Sequence, residues 1–298
     1  MLTLFTVAKP FCGEFARIQR NAILSWTHLR PACEILLLGD DAGVREVAAD
    51  AGATHVPELE RNEFGTPLLS NVFSEAERRT SFPILCYVNA DIILLEDFLP
   101  AVQRIIAWNS GSLIVGRRWD LDFTEFLTWE PHWERRFRAR VLKSALLHAH
   151  SGLDYFVFPR GFWGTVPPFA IGRSLWDEWL LYRARGLRAP VVDATECITA
   201  VHQNHSYSHH PEGQAGVSEG PEAQRNMEIG GGLRHAYTLY DATHRLTPSG
   251  IKRRLVPFDL RRRWVVPIIT HKWVRPLVRL KKAVVNAPAH SRRHNEAR

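Results

Sequence analysis

The sequence predicts an α/β fold: a mostly parallel sheet flanked on both faces by helices. Three observations lead there. Short, near-continuous runs of Val, Ile and Leu recur along the first 200 residues, as strands buried on both faces require. Longer mixed segments with apolar residues at helical spacing separate them, which is the alternation of an α/β chain. At 298 residues and 45% hydrophobic, the chain can bury a core large enough for such a sheet.

The elements follow in order. "LTLFTVA" (2–8) reads as a first strand, and "GEFARIQRNAILSW" (13–26) as an amphipathic helix with Phe15, Ile18, Ala22 and Trp26 on one face. "EILLLGDD" (34–41) is a buried strand ending in two acids, a helix runs through "VREVAADAG", and "THVP" (54–57) is a short third strand. "TPLLSNVFSEAERR" (66–79) reads as helix and "ILCYV" (84–88) as the next strand. "SLIVG" (112–116), "DYFVF" (154–158) and "APVVDA" (189–194) are further strands. "RSLWDEWLLYRARG" (173–186) is a helix whose basic C-terminal end and terminal Gly suit the helix dipole and a left-handed cap. From His205 to Gly250 the chain is rich in Gly, Ser, His and Pro, which predicts a long loop over the site. The expected organisation is a catalytic domain over 1–208, a loop or lid over 209–250 and a basic tail over 251–298.

Composition narrows the class. No apolar stretch reaches the roughly 18 to 20 residues that span a bilayer. The N-terminus lacks the basic region and small-residue cleavage site of a signal peptide. Four cysteines stand apart without metal-binding spacing, so reduced thiols in a cytoplasmic protein are expected. The net charge of +7 is uneven. Residues 251–298 hold 14 Lys and Arg against 2 acids, net +12, which leaves the first 250 residues with 24 basic and 29 acidic groups, net −5.

Mainly parallel sheets bind ligands at the carboxyl ends of their strands, so polar residues there matter most. Asp40 and Asp41 end the second strand, where a carboxylate can meet a base or ribose hydroxyl; a turn and helix N-cap is the competing reading. "RNEFGTPLLSN" (61–71) is a polar loop opening a helix, with Arg61, Asn62, Gly65 and Asn71 placed for a phosphate-bearing ligand, or simply for a solvated loop. "YVNADIILLEDF" interrupts an apolar path with Asn89 and Asp91. A divalent cation holding a diphosphate needs one or two protein carboxylates, and Asp91 suits that position. Asp177 lies near a helix start, and His202 follows an apolar run and offers an imidazole to a metal; a first-turn acid and a surface histidine are the plainer readings.

In this order the motifs resemble those of the GT-A glycosyltransferases, family-2-like members of the nucleotide-diphospho-sugar transferase superfamily, over about residues 2–208. Asn62, Gly65 and Asn71 stand in the loop-and-helix motif, and Asn89-Ala90-Asp91 in the DXD position with Asn replacing the first Asp. Asp177, Leu180 and Arg183 keep the spacing of the E-D-x-D-L-x-x-R helix, with Trp176 where Glu is usual, and His202 takes the place of the late histidine. The resemblance implies a Rossmann-like GT-A sheet, a nucleotide-diphosphate sugar donor and Mn²⁺ or Mg²⁺. It implies a metal site at Asp91 and His202, a ribose contact at Asn89, and Asp177 as general base if the enzyme inverts, or as a positioning group if it retains. Arg117 and Arg118 fall where a donor or acceptor phosphate would be met, and Asp154 could meet an acceptor hydroxyl.

Residues 251–285 interleave Arg and Lys with Trp264, Trp273 and aliphatic pairs, while Pro257, Pro267 and Pro276 break any long helix. That mixture favours lying on an anionic membrane surface over spanning it. A nucleic-acid-binding arm and a solvated disordered tail are the competing readings; the membrane is preferred because a glycosyltransferase acting on a saccharide or lipid-linked acceptor would meet it on the cytoplasmic membrane face. The alternatives are a nucleotidyltransferase of related fold, for which Lys9 and a single glycine are a poor triphosphate loop, and a non-enzymatic membrane- or nucleic-acid-binding module.

Overall fold

A computed structural model describes residues 2–205 and 213–254. The strands and helices in chain order are β1 (Leu2–Val7), α1 (Gly13–Thr27), β2 (Glu34–Leu38), α2 (Val44–Ala51), β3 (Thr54–Val56), α3 (Leu69–Arg79), β4 (Ile84–Val88), β5 (Ile92–Leu94), α4 (Phe98–Trp108), β6 (Leu113–Val115) and β7 (Arg118–Leu121). There follow α5 (Trp133–Ser144), β8 (Leu146–Leu147), β9 (Tyr155–Pro159), α6 (Trp176–Gly186), β10 (Val191–Asp193), β11 (Ala200–Gln203), α7 (Gly213–Glu219), α8 (Pro221–Ile229), β12 (His244–Thr247) and β13 (Gly250–Arg253).

Nine strands form one sheet in the order β13-β12-β10-β6-β9-β4-β1-β2-β3, with antiparallel pairing only where β9 inserts and at the β12–β13 hairpin. The apolar runs explain the layering. On β4, Ile84, Cys86 and Val88 enter a core shared with α1, α2 and α4, while Leu85 and Tyr87 enter a second core shared with α3 and α6. Alternate side chains are thus buried on opposite faces, each large one contributing about 1.5–3 kcal/mol. α2 closes at Gly52, whose positive φ of 62° supplies the left-handed cap. Gly43 is also required: a Cβ there would meet Phe11 Cβ at 2.7 Å, where the loops after β1 and β2 pack together.

A second sheet, β5-β11-β7-β8, covers a small core of Ile93, Leu95, Leu121, Phe123, Phe137, Val141 and Val201 beneath α5. Its strands are too short and too polar to stand out in the sequence, apart from the apolar run of β5. The hinge between the two sheets is Asn89-Ala90-Asp91, which joins β4 to β5.

The stretch expected as a loop over 209–250 is different. Among its described residues are two helices, two 3-10 turns and the β12–β13 hairpin, and β12 joins the main sheet beside β10. The apolar Val191-Val192 edge of β10 needs a partner strand, and "HRLT" supplies it. Met1–Arg254 therefore forms one compact unit, without a boundary at 208. The basic tail lies beyond Arg254, outside the described residues, except that Ile251–Arg253 belong to β13.

Candidate active site

A cleft of about 690 Å³ opens at the carboxyl ends of β1, β2 and β4. Strand register assembles its floor. Antiparallel pairing of β5 with β11 sets His202 opposite Ile92, beside Asp91, and parallel pairing of β11 with β7 sets it opposite Asp120. Antiparallel pairing of β4 with β9 brings Asp154 to Asn89, whose backbone N–H donates to the Asp154 carbonyl at 2.9 Å.

Asp91 Oδ2 lies 3.6 Å from His202 Nε2 and 3.4 Å from His205 Nε2. The three residues offer ligand atoms within 4.8 Å of one another. Asp91 Oδ1 is buried and has no hydrogen-bond partner among the described residues. A buried carboxylate oxygen left bare beside two imidazole nitrogens is a donor set that fits a divalent cation. Burial alone would raise the Asp91 pKa, but the charges of His202, His205 and Lys9 outweigh it and hold the carboxyl well below its ordinary range. His205 went unnoticed in the sequence, although H-x-x-H spacing with His202 was the available signal; its ring packs edge-on against Phe15 of α1 at 5.0 Å.

Asp177 lines the same cleft from the first turn of α6. Leu175, at φ +88°, bends the chain into that helix, a strained conformation for a branched side chain that costs on the order of 1–3 kcal/mol. Burial and the neighbouring charge of Glu178 push the Asp177 pKa well up, overriding backbone N–H bonds that favour the ionised form. Burial also pushes Tyr87 up, reinforced by the charges of Asp91, Asp154 and Asp177, so the three carboxylates share one neighbourhood.

Between them sits a polar bracket. Arg118 Nη1 donates to both oxygens of Asp154 at 3.0 Å, and Asn89 Nδ2 donates to Asp154 Oδ1 at 2.7 Å. Asn89 is thus committed to a carboxylate, where a ribose contact was expected. Arg118 Nε donates to Asp120 Oδ1 at 2.8 Å. Burial would raise the Asp120 pKa, but hydrogen bonds from His148 and His202 and the charge of Arg118 hold it far below the carboxylate range.

Positive charge comes from Lys9 and Arg173. Gln19 clamps the Lys9 backbone through both its N–H and C=O. Burial lowers the Lys9 pKa, Asp91 opposes that shift and Arg173 adds to it. Arg173 is anchored by Glu222 of α8 at 2.6 Å. At the β2 end, Asp41 pairs with Arg61 at 2.9 Å, and Arg61 also donates to the Gly65 carbonyl.

Of the residues singled out in the sequence, Asp41, Arg61, Gly65, Asn89, Asp91, Arg118, Asp154, Asp177 and His202 line the cleft. Four do not. Asp40 is exposed outside it. Asn62 Oδ1 accepts from the N–H of Phe64 and Thr66 and its Nδ2 donates to Glu222, so it shapes the loop. Asn71 Oδ1 accepts from Glu60 N–H, and Arg117 donates to the carbonyls of His148 and Leu147. Asn62 bonds the local backbone, as polar side chains in turns do, whereas Asn71 and Arg117 tie down backbone of neighbouring segments 11 and about 30 residues away. Lys9, Asp120, His148, Arg173 and His205 were missed as site residues.

No family model matches the chain, and neither does any curated protein. Among solved structures it is similar to the mannosyltransferase PcManGT from Pyrobaculum calidifontis in complex with GDP-Man and Mn²⁺, at 13% identity and TM-score 0.43, over 67% of this chain and 56% of that one. It is similar to GalNAc-T7 with UDP, GalNAc and Mn²⁺, at 14% identity and TM-score 0.45, over 77% and 48%. The third is glucosyl-3-phosphoglycerate synthase from Mycobacterium tuberculosis in complex with Mg²⁺ and UDP, at 15% identity and TM-score 0.41, over 70% and 73%. The chain spans about half the length of the first two. These likenesses are distant, and the chemistry is read from the cleft's own residues.

Proposed function

We propose that the protein is a glycosyltransferase that moves a sugar from a nucleotide-diphosphate donor to the hydroxyl of a saccharide or lipid-linked acceptor. The observation that carries this reading is the bare, buried Oδ1 of Asp91, which clusters with His202 and His205 at the strand ends of a cleft that also holds Lys9, Arg173 and Asp177. Those three ligands would hold Mn²⁺ or Mg²⁺, a Lewis acid that offsets charge on the leaving diphosphate. Two imidazoles in the set favour Mn²⁺ over Mg²⁺, which prefers oxygen.

The chain's own groups do the remainder. Lys9 and Arg173 attract the diphosphate, and Asp41 with Arg61 stands where the nucleoside would lie. Asp154, held by Arg118 and Asn89, orients the acceptor. With inversion, the acceptor oxygen bonds to the anomeric carbon, the bond from that carbon to the diphosphate oxygen breaks, and Asp177 takes the hydroxyl proton. Burial and the Glu178 charge raise its pKa, which makes its ionised form a stronger proton acceptor. With retention, Asp177 positions acceptor or donor sugar.

Release of nucleoside diphosphate from a panel of nucleotide sugars with Mn²⁺ tests the reading. Wild type is expected to turn over at least one donor and Asp91→Ala none; equal release by both removes the proposal. The basic segment 251–285 is proposed to bring the enzyme to anionic lipid at the cytoplasmic membrane face. Truncation after Arg254, which spares β13, is expected to abolish binding to anionic vesicles at low salt, and persistent binding would refute it.

A further inference from the structure

One carboxylate serves two histidines on the floor of the cleft. Asp120 Oδ1 lies 3.4 Å from His202 Nδ1, and its Oδ2 lies 2.5 Å from His148 Nδ1. Arg118 Nε donates to Oδ1 at 2.8 Å, which keeps the group charged and fixed. An ionised carboxylate only accepts hydrogen bonds, so both rings must present N–H at Nδ1. Asn204 Oδ1, 3.3 Å from His202 Nδ1, favours the same tautomer. When neutral, each ring then keeps its lone pair on Nε2. For His202 that nitrogen is turned to Asp91; His148 lines the cleft alongside Ser151 and Asp154.

We propose that Asp120 is a positioning residue that fixes the tautomer of two histidines at once, holding His202 Nε2 for a divalent cation and His148 Nε2 to accept a hydrogen bond from the acceptor hydroxyl. It rests on the cation site proposed above. The physical reason lies in counting donors: three N–H groups converge on the two oxygens of Asp120. Asparagine has one acceptor oxygen, and its NH₂ would face either His148 or both Arg118 and His202, so a ring meets a donor in either orientation. A ring facing an NH₂ must turn or move its proton to Nε2, and a protonated Nε2 cannot ligate a cation. Carboxylates behind metal-bound histidines carry 10–100-fold effects on metal affinity, about the size expected here.

Two measurements on the full-length protein test this. Calorimetric titration with Mn²⁺ is expected to show binding by wild type, about 10–100-fold weaker binding by Asp120→Asn, and unchanged Mn²⁺ affinity in His148→Gln. No Mn²⁺ binding by wild type removes the cation site itself. Binding by wild type with equal affinity in Asp120→Asn overturns the positioning role alone. Imidazole ¹⁵N spectra of metal-free wild type, taken at a pH where both rings are neutral, read the tautomers directly and do not depend on how Asp120→Asn folds. His148 and His202, assigned through their Gln variants, are expected as Nδ1–H tautomers, and an Nε2–H form of either ring contradicts the proposal.

Discussion

Asp91 and Asp177 line one cleft, yet their surroundings drive them in opposite directions. Asp91 sits between two imidazoles with Lys9 close by, and attraction overcomes the cost of burial. Asp177 sits in the first turn of α6, where burial and then the charge of Glu178 push the same way. Proximity to positive partners, and not depth alone, decides which acid stays ionised. Two carboxylates pushed apart in this way are suited to different tasks: one holds charge, the other exchanges a proton.

The most severe way to break this contrast is to remove the Asp91 charge. Asp91→Asn is expected to lower Mn²⁺-dependent donor turnover by at least about a hundredfold and to abolish Mn²⁺ binding, measured by initial rates and calorimetry. Asp177→Asn is expected to cost about 10²–10⁴-fold in kcat while leaving Mn²⁺ affinity intact. Its stability should move the other way. Because folding raises the Asp177 pKa, the native state binds the extra proton between the unfolded value of about 3.9 and the folded one, and stability falls as pH rises through that window. Asparagine escapes that loss, so the melting temperature of Asp177→Asn is expected to gain on wild type as pH rises from about 4 toward the folded pKa.

Smaller changes sharpen the contrast. Lys9→Met removes a cation beside Asp91 and is expected to raise the donor KM about tenfold, the size of one charge-assisted hydrogen bond. Asn71→Ala loses only the bond to Glu60 N–H. A stability loss of about 1 kcal/mol with unchanged donor KM is expected, from denaturant midpoints and kinetics.

The two halves of the site also differ in how far the sequence discloses them. Strands β1, β2 and β4 are apolar runs, so the polar residues at their ends stood out, and Asp41, Asn89 and Asp91 all reach the cleft. Asp177 and His202 were legible through order and spacing. Asp120 was not, because β7 reads "RWDL" and carries no apolar run. Its partnership with His202 depends on a pairing between strands about eighty residues apart, and local pattern does not set that register. Lys9 and Arg173 were obscured for a related reason: tertiary packing against Gln19 and Glu222, not local sequence, brings them to the cleft. In the opposite sense, Asn62 and Asn71 have the composition of ligand-binding groups and turn out to hold backbone.

The most direct test of the contrast is a melting-temperature series with a panel of nucleoside diphosphates, with and without Mn²⁺, on wild type, Asp91→Asn and Asp177→Asn. Wild type and Asp177→Asn are expected to be stabilised by at least one diphosphate only when Mn²⁺ is present, and Asp91→Asn by none. No metal-dependent stabilisation of wild type, or the same stabilisation in Asp91→Asn, would contradict a cation site at Asp91.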